Sequence, residues 1–160
     1  TLHTNDAIGA VPRLIDLGVK PPIIAPAINM LMAQRLLRRI CPKCSIKRSI
    51  TEGELLKFKE ILRDLPPRVK NVELSDKISI SEPYGCKECH NGYSGRMAIM
   101  ELFEITGDVE KLILSSPTES QLREAAKKTG MVTIAQDAVI KILRGITTVE
   151  EAERILGSLI

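Results

Sequence analysis

Aromatic side chains are nearly missing from this chain, which has no Trp and only two Tyr and two Phe among its 160 residues. Phe58, Tyr84, Tyr93 and Phe103 are too few and too scattered to form the stacking platform on which single-stranded nucleic acid is read. Long apolar runs are missing as well. The longest, Ile23 to Ala33, spans 11 residues and contains Pro26 and Asn29, whereas a bilayer-spanning helix needs about 20. No Gly-x-x-x-x-Gly-Lys-[Ser/Thr] phosphate loop occurs, nor an acidic strand end to hold Mg²⁺. Backbone amides and a lysine around the β- and γ-phosphates are what stabilise phosphoryl transfer, so this chain alone is not expected to hydrolyse ATP. It opens at Thr1 with no charged n-region or apolar h-region, and is expected to be a piece of a longer protein. What remains, 44% apolar and 27% charged, is ordinary globular composition for one or two small domains.

Cysteine is scarce too, but its placement is informative. All four cysteines fall in two Cys-x-x-Cys pairs, Cys41–Cys44 and Cys86–Cys89, separated by 41 residues. Zn²⁺ takes four thiolates in a tetrahedron, and two thiolates three positions apart on a tight knuckle each supply one edge. The long gap predicts a small subdomain looped out between the knuckles. Two other readings compete. Cys86-Lys87-Glu88-Cys89-His90 also matches the attachment signature of a c-type haem, but haem would leave Cys41 and Cys44 unused and would need an apolar pocket, for which this chain has few aromatics. Disulfides are disfavoured because nothing suggests secretion and a core of this size needs no staples. His90 is expected to be exposed or to lie outside the ligand set, since four sulfurs close the coordination sphere.

The net charge is only +3, yet Arg35, Arg38, Arg39, Lys43, Lys47 and Arg48 fall within fourteen residues that contain no acid. Such a cluster either holds a polyanion, nucleic acid or a nucleotide phosphate, or is a solvated face that complements a helix end.

The pattern of caps and apolar spacing predicts a mainly α chain with small β elements. Ala7 to Leu17 reads as a helix closed by Gly18, with Pro12 either at its first turn or kinking it. After Lys20-Pro21-Pro22, Ala25 to Ile40 reads as one strong helix with Ile24, Ala27, Ile28, Leu31, Met32 and Leu36 along one stripe. Thr51 caps a helix to Leu65, ended by Pro66-Pro67. Ile78 to Ile80 and Arg96 to Phe103 are the strand candidates, with a tight turn at Asn91 to Gly95. Four short helices follow: Asp108 to Leu114, one opened by the capping-box spacing Thr118-Glu119-Ser120-Gln121 and closed by Gly130, Thr133 to Arg144, and one opened by a second capping-box spacing, Thr148-Val149-Glu150-Glu151, and stopped at Gly157.

Several words in order, Thr1-Leu2-His3-Thr4-Asn5-Asp6-Ala7, Gln34-Arg35-Leu36-Leu37-Arg38-Arg39-Ile40-Cys41, Gly92-Tyr93-Ser94-Gly95-Arg96 and Glu101-Leu102, together with the doubled Cys-x-x-Cys, resemble the C-terminal part of the type II secretion and type IV pilus assembly ATPases. The resemblance covers essentially the whole chain. It implies a C-terminal remnant of a RecA-like α/β ATPase domain over residues 1–40, a tetracysteine zinc subdomain over 41–95 with Cys41, Cys44, Cys86 and Cys89 as ligands, and a strand followed by a helical bundle over 96–160. It implies a cytoplasmic hexameric motor, peripheral at the inner membrane, that takes ATP and Mg²⁺ in the parent protein and meets neighbouring subunits and an inner-membrane platform protein. Under it His3 would sense the γ-phosphate, and Arg35 or Arg38 would face nucleotide or a neighbouring subunit. From a different class, a zinc-ribbon module binding nucleic acid through Arg35 to Arg48 is the alternative.

Overall fold

The segment expected to be one long helix, Ala25 to Ile40, is mostly a strand. In the computed structural model, which describes residues 2–70, 72 and 74–157, Lys20 leads into α2 (Pro21–Ala27), with prolines at its first two positions. Pro26 removes an amide from its last turn, Ile28 is already extended, and β1 (Met30–Ile40) follows. The side chains of β1 alternate: Met30, Met32, Gln34 and Leu36 are exposed, while Leu31 and Ala33 turn inward. Leu, Met, Gln and Arg favour helices, so local propensity points the wrong way here. Pairing with β4 (Tyr93–Glu104) satisfies the strand's backbone instead.

The described residues form a mixed α/β chain with seven helices and four strands. Upstream lies α1 (Ala10–Asp16). Pro12 occupies its first turn, where the missing N–H would have no helical partner in any case. Between β1 and β4 lie β2 (Ile46–Ser49), α3 (Glu52–Ile61) and β3 (Ser79–Glu82). The last four helices are α4 (Gly107–Leu114), α5 (Glu119–Lys128), α6 (Ile134–Leu143) and α7 (Val149–Leu156). Thr51 and Thr118 each form a full capping box, with Glu54 and Gln121 respectively. No helix among the described residues is long and apolar enough to cross a membrane.

Two compact units result. The first comprises Thr1–Gln34 and Met100–Ile134, and its core gathers Ile8, Val11 of α1, Ile24 of α2, Phe103 of β4, Val109 and Ile113 of α4 and Leu122 of α5. The second comprises Arg35–Ile99 and Ala135–Ile160. Its fully buried side chains include Leu37, Phe58, Ile80, Ile99, Val139 and Ile142. Thus α4 and α5 belong to one unit, and α7 with nearly all of α6 to the other. Within the second, β2 and β3 pair antiparallel, Ile46 opposite Glu82 and Ser49 opposite Ser79. Sequence reading did not anticipate β2.

Candidate functional site

The β2–β3 register returns the chain to its starting point, so the two cysteine pairs meet. Two residues beyond Cys44, Ile46 stands opposite Glu82, four residues before Cys86. Each pair sits on a short turn, with Ser45 N donating to Cys41 O at 3.1 Å and Cys89 N to Cys86 O at 3.3 Å. Cys41 N also donates to Gly92 O at 2.8 Å, fixing the first knuckle to the turn after the second. That turn has two central residues, Asn91 and Gly92, both at positive φ (50° and 81°), between His90 and Tyr93, which exchange both backbone bonds at 3.0 Å. Gly92 is required on steric grounds as well, because a Cβ there would lie 2.4 Å from Pro83 Cβ.

The sulfur atoms make a compact cluster, all four within 4.8 Å of one another. Sγ of Cys41 is 4.0 Å from that of Cys86, Cys44 is 3.7 Å from Cys89, and Cys86 is 3.6 Å from Cys89. A disulfide would need about 2.05 Å, and the four cysteines are free. A metal–sulfur distance of about 2.3 Å in a tetrahedron gives edges of about 3.8 Å, close to these values. Backbone N–H groups already point at the sulfurs: Gly85 N donates to Cys44 Sγ at 3.3 Å and Cys86 N to Cys89 Sγ at 3.2 Å. Burial opposes charge on Cys89, but the donors from Cys86 outweigh it and bring the thiol down to about 7. Burial, reinforced by the neighbouring thiols, pushes Cys44 up to about 12. A bound dication would favour the thiolate form at all four sulfurs. His90 is exposed and lies outside the cluster. The site can hold a metal ion through four sulfurs, with no fifth donor among the grouped residues.

Arg38, Lys43 and Arg48 of the basic stretch meet acids that lie outside it. Arg48 reaches Glu54 with both terminal nitrogens, at 2.7 and 2.5 Å, and pairs with Glu82 through Nε. The hydrogen bond from Arg48 is the main reason that Glu54 is lowered to about 2. Lys43 pairs with Glu88, and Lys47 donates to Ser81 Oγ at 2.9 Å. Arg38 is bound to Glu151 of α7, whose side chain is fully buried.

Glu151 is the residue that sequence reading placed wrongly. Expected as the far end of a capping box, it accepts only half of that role: Thr148 Oγ1 receives Glu151 N at 3.2 Å, while the carboxylate turns inward. There it accepts from Arg38 N at 2.9 Å, Arg38 Nε at 2.8 Å, and Arg154 Nε and Nη2 at 2.8 and 2.7 Å. Burial alone would raise its pKa, but Arg154 and Arg38 outweigh burial and hold it at about 2. The guanidinium of Arg38 also lies 4.1 Å over the Tyr93 ring. Tyr93 OH in turn bonds Thr148 Oγ1 at 2.8 Å. No local pattern signals this cluster, since its partners lie up to 113 residues apart.

His3 is exposed, in the first unit, with φ at +52°. Arg35 is half-buried on β1 in the second unit. The guanidinium of Arg38, the other arginine singled out from sequence, is committed to the Glu151 carboxylate.

Comparison with known proteins agrees with the order of these features. The family model described as "Type II/IV secretion system protein" matches residues 1–154. The type IV pilus assembly ATPase PilB of Myxococcus xanthus is 34% identical over 155 residues, covering 94% of this chain and 25% of the relative. The type II secretion system protein E of Aeromonas hydrophila is 36% identical over 156 residues, covering 97% of this chain and 28% of the relative. The chain therefore spans about a quarter of the length of these curated relatives. On the match across nearly its whole length, the chain belongs to the type II/IV secretion system protein family.

Proposed function

We propose that this chain is the C-terminal part of a motor ATPase that drives type II secretion or type IV pilus assembly, and that its four cysteines hold a structural Zn²⁺. The observation that carries this reading is the sulfur cluster, with spacings near a tetrahedral edge, inside a family match over residues 1–154. Four thiolates leave a tetrahedral ion no open position for water or substrate, so the metal's work is to fold the lobe. In this reading residues 1–40 end a RecA-like ATPase core, residues 41–95 are the metal-binding part, and residues 96–160 supply the strand and helices that complete it. ATP and Mg²⁺ bind elsewhere in the longer protein, since no phosphate loop is present in the sequence.

His3 then contacts the γ-phosphate region and couples hydrolysis to movement. Arg35 faces nucleotide or the next subunit of a hexamer, as would Arg38 if it left Glu151. The metal lobe meets a platform protein at the cytoplasmic side of the inner membrane. A nucleic-acid role is disfavoured by the pairing of Lys43, Arg38 and Arg48 with acids. The test is hydrolysis of ATP by the longer protein and none by this chain alone. A chain that turns over ATP unaided, or a longer protein with no turnover at all, contradicts the assignment.

A further inference from the structure

Glu101 of β4 is the buried acid of the first unit among the described residues, and it belongs neither to the sulfur cluster nor to the Arg38–Glu151 seam. It is 3% exposed. One carboxylate oxygen, Oε1, accepts from Ala7 N at 2.6 Å, and the other, Oε2, accepts from Ile134 N at 3.0 Å. These two amides are 127 positions apart in sequence (134 minus 7). The first belongs to the segment that carries His3, and the second opens α6 and is the last residue of the first unit. A carboxylate is acceptor-only, so it serves two amide donors at once; a carboxamide offers one acceptor and presents an NH₂ to the second amide.

The same segment is held from its solvent side. Asp6 Oδ1 accepts from Gly9 N at 2.8 Å, and Asp6 Oδ2 pairs with Arg123 of α5 at 2.6 Å. Glu119 shares that guanidinium at 2.5 Å. Gly9 is closely fitted, because a Cβ there would lie 3.2 Å from Asp6 Oδ1. Ala7 and Ile8 are each only 2% exposed, so residues 6 to 9 are anchored in the core. Three residues upstream of that anchor, His3 stands exposed in the left-handed region, which side chains other than glycine adopt infrequently.

We propose that Glu101 is a positioning residue for His3: by clamping Ala7 N to Ile134 N it fixes the root from which the histidine projects, with the Asp6–Arg123 pair as an outer brace. This rests on the reading of His3 as a phosphate-contacting group. In the longer protein, Glu101→Gln is expected to lower kcat for ATP hydrolysis by about tenfold or more while leaving KM within about twofold. Combined with His3→Ala it lowers kcat no further than His3→Ala does alone, because both remove one function. Metal content stays unchanged. In amide spectra of the present chain, Glu101→Gln shifts Ala7 and Ile134 and also moves His3, and Glu101→Asp restores part of the kcat.

A kcat for Glu101→Gln equal to the parent's, or effects that multiply with those of His3→Ala, overturns the proposal. So does an unmoved His3 resonance beside a shifted Ala7. Should His3→Ala leave kcat untouched, the phosphate role of His3 falls, and the amide spectra still decide whether Glu101 positions the segment. If Glu101→Gln does not fold, Arg123→Gln decides instead: it keeps the inner clamp and is expected to lower kcat by a smaller factor that again does not multiply with His3→Ala. Multiplying effects in that variant count against the proposal.

Discussion

Arg38 and Glu151, 113 residues apart, are joined twice: the Arg38 backbone N–H donates to Oε1 at 2.9 Å and the guanidinium Nε to Oε2 at 2.8 Å. The double attachment ties the position of the α7 carboxylate to the backbone of β1 as well as to a side chain. Thr147 Oγ1, donating to Arg38 O at 2.9 Å, and Ile40 N, donating to Ile146 O at 2.9 Å, extend the same seam. Glu151→Ala removes the acceptor shared by two guanidinium groups and a backbone amide. Breaking a buried ion pair in this way costs about 3 kcal/mol or more, so a clear drop in the denaturation midpoint of the metal-loaded chain is expected. A midpoint unchanged from the parent would show that the seam carries no stability.

Acid should reproduce part of that loss. Glu151 is held at about 2 against an ordinary 4.5, and Glu54 likewise at about 2 by its hydrogen bonds with Arg48. A depressed folded-state pKa contributes stability that is fully present above the unfolded value and is lost as pH falls through 4.5 toward 2. Each group's share is on the order of 3 kcal/mol at most. The stability gap between the parent and Glu151→Gln is therefore expected to be level from neutral pH down to the upper end of that window and to shrink below it, measured as paired denaturation midpoints at each pH. A gap that stays constant into strong acid would contradict the assignment.

Gly92→Ala is expected to break the second knuckle. The position has φ +81°, and the added Cβ would meet backbone Pro83 Cα at 2.8 Å. No flexible side chain can move aside to relieve that contact. Because Cys41 N bonds Gly92 O, the disturbance reaches both cysteine pairs. Competition titration against a chromophoric chelator should show weaker metal binding in this variant than in Gly95→Ala, whose Cβ would meet nothing within 4 Å. Equal affinities would contradict the steric argument.

Sequence reached the site more completely than the fold around it. The cysteine knuckles, the caps at Thr51 and Thr118 and the stops at Gly18, Gly130 and Gly157 are local chemistry, set by residues within a turn of one another. Met30 to Ile40 is different. Its helix-forming side chains and the i, i+4 pair of Met32 and Leu36 satisfy a helical pattern, and only hydrogen bonding to β4, some sixty residues on, makes it a strand. Distance also hides Glu151 as the partner of Arg38, Glu88 as that of Lys43 and Glu82 as one of the two partners of Arg48, so a stretch without an acid of its own is partly balanced in space. Glu101 was invisible as an anchor because both groups it binds are backbone amides from remote segments, and for Glu151 only Arg154, three residues on, is a local partner, while Arg38 comes from 113 residues away.

Loss of one metal ligand should be felt unevenly. Cys44→Ser is expected to disorder the two knuckles and the β2–β3 pair, while the core around Phe103, Val109 and Leu122 in the first unit persists. Amide exchange followed residue by residue reads this directly. Uniform loss of protection across both units would mean that they do not fold separately.

The central claim is that four sulfurs and one metal ion hold the lobe between Cys41 and Cys89 together. The most direct test is elemental analysis of the purified chain, followed by thermal melting before and after a strong chelator. The account predicts one zinc per chain and a large drop in the melting temperature of the second unit when the metal is removed, since structural zinc contributes about 10–16 kcal/mol of apparent binding energy. Protein that is metal-free as isolated and melts identically with and without chelator would contradict it.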